Sequence, residues 1–304
     1  MKKRTLYAEG TFKKGNLHTH TNWSDGHYSP GETALHYREN GYDFLALTDH
    51  WVYGIHQDLN EKDFLVFPGT EMDIELPGRK DHHIVGIGLP ETNRIPERYI
   101  FRDEREGNHL STAERIIEYL GQMGNVALYA HPYWSKVDST DIKYLQGMIG
   151  MEIYNHGCEA ESNNGNSETY FDHFLFVRNR IFCFATDDAH ELQGDSLGGF
   201  IMVKTGDFTH RGIMEAIKAG SFYSSAGPLI HDFYVEGNTA YLQCAPCQDI
   251  YFKTPHRGGH IHSEKDSLTE GSFKLHGNEE YVRVAIRNSR GQKAWTQPIW
   301  LWLF

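Results

Sequence analysis

The chain is predicted to be an α/β protein, a barrel built on a largely parallel sheet and followed by a small antiparallel β-domain. Three observations predict it. Short apolar strands alternate with amphipathic helices over about the first 225 residues, turn-separated strands without helices follow Gly227-Pro228, and side chains able to bind metal recur where strands end. At 304 residues, 39% hydrophobic and 13% aromatic, the chain can bury a large core and still carry a smaller companion domain.

In chain order, strands are expected at Asn16 to His20, Phe44 to Thr48, Phe64 to Glu71, His83 to Gly88, Val126 to Ala130, Met151 to Tyr154, Ile181 to Thr186 and Phe200 to Lys204. Helical patterns lie between them at Pro30 to Asn40, Ser111 to Met123, Glu168 to Asn179 and Thr209 to Ala219. Thr209 resembles an N-cap and Gly220 a helix stop. Past residue 228 the pattern changes to strands at Asp232 to Glu236, Thr239 to Gln243, Ile250 to Lys253, Ser272 to Leu275, Tyr281 to Arg287 and Trp295 to Trp302. Gly237-Asn238, Gly277-Asn278 and Arg290-Gly291 supply turns between them. The expected division is 1–228 for the barrel and 229–304 for a sandwich-like β-domain.

Charge and composition exclude several classes. The formal charge is −12, from 41 acidic against 29 basic residues, and no stretch gathers Lys and Arg into the basic stripe that long nucleic acid requires. No apolar run approaches the roughly 18 residues that span a bilayer, so no membrane is expected. Met1-Lys2-Lys3-Arg4 is not followed by an apolar segment, so a cytoplasmic protein is expected. Cys244-Ala-Pro-Cys247 has no second CxxC to complete a zinc site and reads as two thiols in a strand-rich region. Oligomeric state is not legible.

The chemistry lies in the first part. His18 and His20 in Leu17-His18-Thr19-His20 share one face of an extended segment, roughly 7 Å apart and able to share an ion. Asp25 stands beyond a short turn. One HxH carries little weight, since 19 histidines produce about one by chance, and His260-Ile261-His262 is a second. The weight rests on the ordered series of strand termini downstream: Asp49-His50, Gly69-Thr70-Glu71, His82-His83, His131-Pro132 and Asp187-Asp188-Ala189-His190 each stand at one, where α/β barrels gather their active sites.

These residues resemble the polymerase and histidinol phosphatase (PHP) domain superfamily, through HTHTNWSDG at 18–26, LTDH at 47–50, GTE at 69–71, HIVG at 83–86, AHP at 130–132 and DDAH at 187–190. The resemblance covers about residues 14–222 and implies a distorted seven-stranded (β/α) barrel. It also implies His18, His20, Glu71 and Asp188 around one metal, Glu71 bridging to a second held by His83 and His131, and Asp25, His50 and His190 around a third. His82 competes with His83, and the apolar run after it favours His83. Asp187 competes with Asp188, and the D-x-H spacing favours Asp188, leaving Asp187 a supporting role. Glu152 and Asn155 are implied as groups that orient neighbouring histidines. The β-rich tail is similar to the carbaryl-hydrolase-like branch.

The expected cofactors are two or three divalent ions, zinc, iron or manganese, since mixed nitrogen and oxygen ligation admits all three. Two ions about 3.5–4 Å apart hold a hydroxide for attack and clamp the substrate's oxygen. The leading expectation is a phosphoesterase for a small phosphate ester or nucleotide, with Glu71 and Asp188 at the reacting centre. The alternatives are a carbamate or carboxyl esterase and a non-catalytic metal-stabilised module. Tyr133 and Trp134 either wall the pocket, with Tyr133 protonating a leaving group, or pack. Arg94, Arg98, Arg102 and Arg105 fall in a charged loop, 94–108, that reads as solvated, with a phosphate-clamping lid as its sharper alternative. His256, His260 and His262 read as a polar hairpin.

Overall fold

In the computed structural model, which describes residues 4–76, 80–90, 98–101 and 110–301, the apolar runs become strands of one large mixed sheet. Across it in order lie Phe182–Thr186, Gly150–Asn155, Val126–Tyr129, Lys80–Ile87, Leu65–Leu76, Phe44–Leu47, Thr11–Asn16, Phe200–Thr205 and Phe222–Ser225. Phe44–Leu47 is parallel to both neighbours and buried at every residue, as a doubly covered strand must be.

The largely parallel sheet expected from the pattern is not what forms. Leu65–Leu76 and Lys80–Ile87 make an antiparallel hairpin, in register from Leu76↔Lys80 to Gly69↔Ile87. Its link, 77–79, is far too short for the crossover of a dozen or more residues that a parallel pair needs. Val126–Tyr129 runs antiparallel to Lys80–Ile87, and Phe200–Thr205 antiparallel to Thr11–Asn16.

The sheet curls until the chain just past Thr11–Asn16 lies beside the chain just past Phe182–Thr186. Among the described residues that contact is a single parallel bridge, Thr19↔Ala189, and not a ladder. Asp188 N–H donates to the carbonyl of His18 at 2.8 Å and His20 N–H to that of Ala189 at 3.0 Å.

The strand expected at Asn16 to His20 sits earlier, at Thr11–Asn16, and the histidines occupy the extended segment beyond its end. Lys13 and Lys14 hide the strand in the sequence. Their stems lie along the sheet, with Lys14 Nζ 3.9 Å from the Tyr42 ring centre and Lys13 paired to Asp43 at 3.0 Å.

Helices cover the sheet where their caps predict. Pro30–Glu39 starts on a Ser29–Glu32 capping box, Ala113–Gln122 on Thr112 and His210–Lys218 on Thr209. Ile116, Ile117 and Leu120 pack into one core with Ile84 and Tyr129, while Ile213, Met214 and Ile217 pack into another with Leu17 and Phe67. The helix expected to reach Asn179 stops at Phe176, because Arg178 is left-handed at φ 62°. An unforeseen helix, His156–Ser162, comes directly after Gly150–Asn155, with the Asn155 side chain accepting from Cys158 N–H. No helix among the described residues is long and apolar enough to cross a membrane.

The C-terminal strands pair antiparallel. Ile230–Glu236, Thr239–Cys247 and Leu268–Lys274 form a separate sheet with Arg4–Thr5 at its edge, while Lys293–Thr296, Tyr281–Arg287, Asp249–Lys253 and Gly259–His262 continue the large sheet past Phe222–Ser225. Phe233 and Leu242 of one sheet meet Ile250, Val284 and Ile286 of the other in a common core. The strand expected at Trp295 to Trp302 is interrupted at Pro298, which has no N–H for a ladder; Trp302 lies outside the described residues.

Beyond the shared sheet, side-chain contacts fasten this part to the first. The Gln297 side chain accepts from Cys183 N–H at 2.9 Å and donates to its carbonyl at 2.8 Å, standing in for a neighbouring strand beside Phe182–Thr186. Buried Arg283 donates to Glu168 at 3.2 Å and to Asp172 on the helix Glu168–Phe176, and Lys253 and Lys293 pair with Glu168 at 2.6 and 3.0 Å.

Candidate metal centre

Strand ends and one hairpin face aim the side chains. Beyond Thr11–Asn16 the Asn16 amide holds the backbone, donating to His18 O at 3.1 Å and to Thr19 Oγ1 at 2.6 Å. Thr19 pairs outward with Thr48, so His18 and His20 face inward, both buried. Glu71 lies inside the long strand Leu65–Leu76, and His50, past the end of Phe44–Leu47, bridges to it in parallel. His83 is opposite Asp73 on the hairpin partner, so it reaches Glu71 diagonally across one face. Asp188 and His131 take positive φ of 56° and 23°, unusual for residues with a Cβ, and turn their side chains into the same space.

The result is centred on one carboxylate. Glu71 Oε2 lies 3.1 Å from His18 Nε2, 3.1 Å from His20 Nε2 and 3.4 Å from His50 Nε2. Its Oε1 lies 2.9 Å from His83 Nδ1 and 3.3 Å from His131 Nε2. Asp188 Oδ1 sits 3.2 and 3.0 Å from the same His18 and His20 nitrogens, and Oδ2 lies 3.5 Å from His131 Nε2. Asp25 Oδ2 is 3.5 Å from His190 Nε2 and 3.7 Å from His50 Nε2.

This donor set fits divalent metal. His18 Nε2 and His20 Nε2 are only 3.2 Å apart, and both face the same two carboxylates, so positive charge must sit among them. Without metal, protons supply it. Burial works against charge on every member, yet Asp188 and Glu71 drive His18 well above its ordinary value and His20 up to about 10, and the histidines hold both carboxyls well below the carboxylate range. Donor atoms of His18, His20, Glu71 and Asp188 lie within 4.8 Å of one another, as do those of His20, Asp25, His50 and His190, and those of His50, Glu71 and His83.

A surrounding layer fixes the ring orientations. Glu152, fully buried, accepts from His18 Nδ1 and from Thr186 Oγ1, each at 2.7 Å, and its other oxygen accepts from His131 N–H at 2.9 Å and the Asn155 amide at 2.8 Å. Asn155 also donates to Asp188 Oδ2 at 3.2 Å. His131 Nδ1 meets Ser135 Oγ at 3.1 Å, and His190 Nδ1 meets the Asp188 carbonyl at 2.9 Å.

The neighbouring candidates separate, His82 from His83 by strand alternation and Asp187 from Asp188 by the left-handed backbone at Asp188. His83 faces Glu71, whereas His82 points the other way to Tyr129 OH at 2.6 Å. Asp188 joins the histidines, whereas Asp187 accepts from three successive backbone N–H groups, Leu197, Gly198 and Gly199, and from Tyr37 OH; burial still raises its carboxyl to about 7.

The cluster opens on a cavity of about 740 Å³ whose far wall is the helix His156–Ser162. Trp134 lines it, tied through Nε1 to Glu161 at 2.8 Å and set edge-on to His131. Tyr133 is 45% exposed and is not among the lining residues. Sequence reasoning missed Cys158, a buried thiol on that wall 3.9 Å from Asp188 Oδ2 and grouped with His131 and Asp188. Its only signal was a position three residues past Asn155. Of the candidate lid, Arg94, Arg102 and Arg105 lie outside the described residues, and the Arg98 guanidinium rests 4.4 Å from the Trp23 ring centre.

No family model matches the chain. Over 87 residues, 23% of this chain, it is 34% identical to the DNA polymerase/3'-5' exonuclease PolX of Bacillus subtilis (strain 168), and the match spans 15% of that relative's length. Among solved structures it is similar to a two-domain protein from Bacteroides vulgatus ATCC 8482 containing a predicted PHP-like metal-dependent phosphoesterase, at 15% identity and a TM-score of 0.50, covering 98% of both chains. A protein described as a metal-dependent phosphoesterase from Bifidobacterium adolescentis ATCC 15703 aligns over 60% of this chain and 90% of its own, at 15% identity and TM-score 0.41. An amidohydrolase from Chromobacterium violaceum aligns over 60% and 89%, at 19% identity and TM-score 0.42. The fold of that Bacteroides vulgatus protein is therefore shared along nearly the whole chain.

Proposed function

We propose that this chain is a metal-dependent hydrolase of the PHP type that cleaves a small phosphate ester or nucleotide at the mouth of its larger sheet, with 1–228 as the catalytic barrel and 229–304 as an appended β-domain. The observation that carries this reading is the convergence on buried Glu71 of five imidazoles, His18, His20, His50, His83 and His131, beside an open cavity. On this reading His18, His20, Glu71 and Asp188 hold one ion, Glu71, His83 and His131 a second, and Asp25, His50 and His190 a third, drawn from zinc, iron or manganese. Such ions activate water and polarise the scissile bond when bound.

The chain's own residues set the geometry for that chemistry. Glu71 turns one oxygen to His18, His20 and His50 and the other to His83 and His131, so its carboxylate would serve both groups of histidines in holding metal. Glu152 accepts a hydrogen bond from His18 Nδ1–H, which fixes the ring so that Nε2, once deprotonated, would present its lone pair to a metal ion. Trp134, fixed by Glu161, offers an apolar wall to a leaving group.

One observation favours a second reading. Among the described residues no Lys or Arg lines the cavity, so nothing there clamps phosphate apart from bound metal. That suits a carbamate or carboxyl ester, as does the tail's similarity to the carbaryl-hydrolase-like branch.

Protein loaded with manganese, iron or zinc, assayed against p-nitrophenyl phosphate, bis-p-nitrophenyl phosphate, short oligonucleotides and 1-naphthyl N-methylcarbamate, decides between them. The expected result is phosphate ester cleavage abolished by a chelator. Naphthol release without phosphatase activity selects the second reading, and metal binding without turnover of any substrate would point to a non-catalytic module.

A further inference from the structure

The pair His260-Ile261-His262 looks like an ordinary hairpin in the sequence, but folding brings a buried carboxylate to it. Gly259–His262, Asp249–Lys253 and Tyr281–Arg287 lie side by side, with His262, Asp249 and Arg287 in one row across the three strands. Residues two apart share a face, so His260 stands beside His262 and reaches Asp249 diagonally. Asp249 Oδ1 lies 2.7 Å from His260 Nε2 and 2.8 Å from His262 Nδ1. The carboxylate is fully buried, while the two imidazoles are 47% and 49% exposed and open to ions from solution. Stacking on Tyr251, with centroids 4.4 Å apart, holds the His260 ring.

We propose that Asp249, His260 and His262 bind one zinc-type divalent cation on the C-terminal sheet, separate from the mouth cluster and independent of its function. Two imidazole nitrogens and one carboxylate oxygen form a three-ligand set whose remaining positions go to water, and imidazole selects zinc, nickel or copper over magnesium or calcium. Arg287 donates Nε and Nη2 to Oδ2 at 2.9 and 2.8 Å, so it engages the oxygen that faces away from the rings. A ligand carboxylate fixed through its other oxygen is the usual arrangement around bound metal. The cation would replace the proton now shared by each ring with Oδ1, and it would tie the end strand Gly259–His262 to the sheet.

The test is a zinc titration of metal-stripped full-length protein. Zinc per chain is measured for the parent and for His260→Gln/His262→Gln, and the imidazole nitrogens of the parent are tracked by NMR. The double variant is expected to hold one zinc fewer per chain, and His260 Nε2 and His262 Nδ1 are expected to shift to metal-bound positions in the parent. Equal zinc content in the two proteins overturns the proposal, and so do ring nitrogens that stay in place at saturating zinc. If circular dichroism shows the double variant unfolded, the parent's nitrogen shifts decide alone.

Discussion

Two buried acidic clusters in this chain solve the same electrostatic problem in opposite ways. Around Glu168 the chain brings its own cations, with Arg283, Lys253 and Lys293 all reaching that carboxylate. Around Glu71, among the described residues, it brings imidazoles, which carry charge when protonated and otherwise present lone pairs. A carboxylate met by Arg and Lys has its counter-charge built in and belongs to the framework. One met by histidines has a place for a metal ion. Asp249 stands between the two, with one oxygen on Arg287 and the other on two imidazoles.

The comparison breaks first at Glu71. Glu71→Ala removes the acceptor shared by both histidine groups and is expected to abolish turnover and lower the metal content of the purified protein. Full turnover with unchanged metal by elemental analysis would refute the assignment. Glu152→Gln is a subtler probe, since it keeps the size of the group but weakens its hold on His18 Nδ1 and His131 N–H. A loss of about 10–100-fold in metal affinity or activity is expected, with the fold kept. A variant indistinguishable from the parent in metal titration would show that Glu152 is only packing.

Glu168→Gln tests the other side of the comparison and should alter stability without altering metal content. Burial raises the Glu168 carboxyl, but Arg283, Lys253 and Lys293 outweigh it and hold it below its ordinary value. A depressed carboxyl contributes stability above its unfolded value, about 4, and loses that contribution as pH falls toward and below it. The melting temperature of Glu168→Gln should therefore lie below that of the parent near neutral pH, and the gap should close on acidification. A gap that widens toward low pH would contradict this balance of charges.

How much was legible differs between these clusters for a physical reason. Candidate side chains just past strand ends leave a linear trace, because each strand delivers its side chain at its own end. His18, His20, His131 and Asp188 were accordingly readable as candidates. Glu71 was readable as the end of an apolar run although its strand continues to Leu76, and strand alternation explains why His83 and not His82 faces Glu71. Cys158 left no such trace, since it reaches Asp188 only through the short helix His156–Ser162. Nor did the Arg283–Glu168 contact, which joins residues 115 apart. The antiparallel hairpin was also missed, because the apolar pattern of Leu65–Leu76 and Lys80–Ile87 records burial and not strand direction.

By itself the sequence determined the alternation of strands and helices, the change to β-structure after residue 228 and the histidines and carboxylates that are candidates for holding metal, since periodicity and local caps are written residue by residue. Only the tertiary structure decided strand direction, the curl that sets Ala189 beside Thr19, and which carboxylates meet histidines and which meet arginine. Those outcomes depend on which distant segments become neighbours, and the counter-charge a buried carboxylate finds is a property of its neighbours in space.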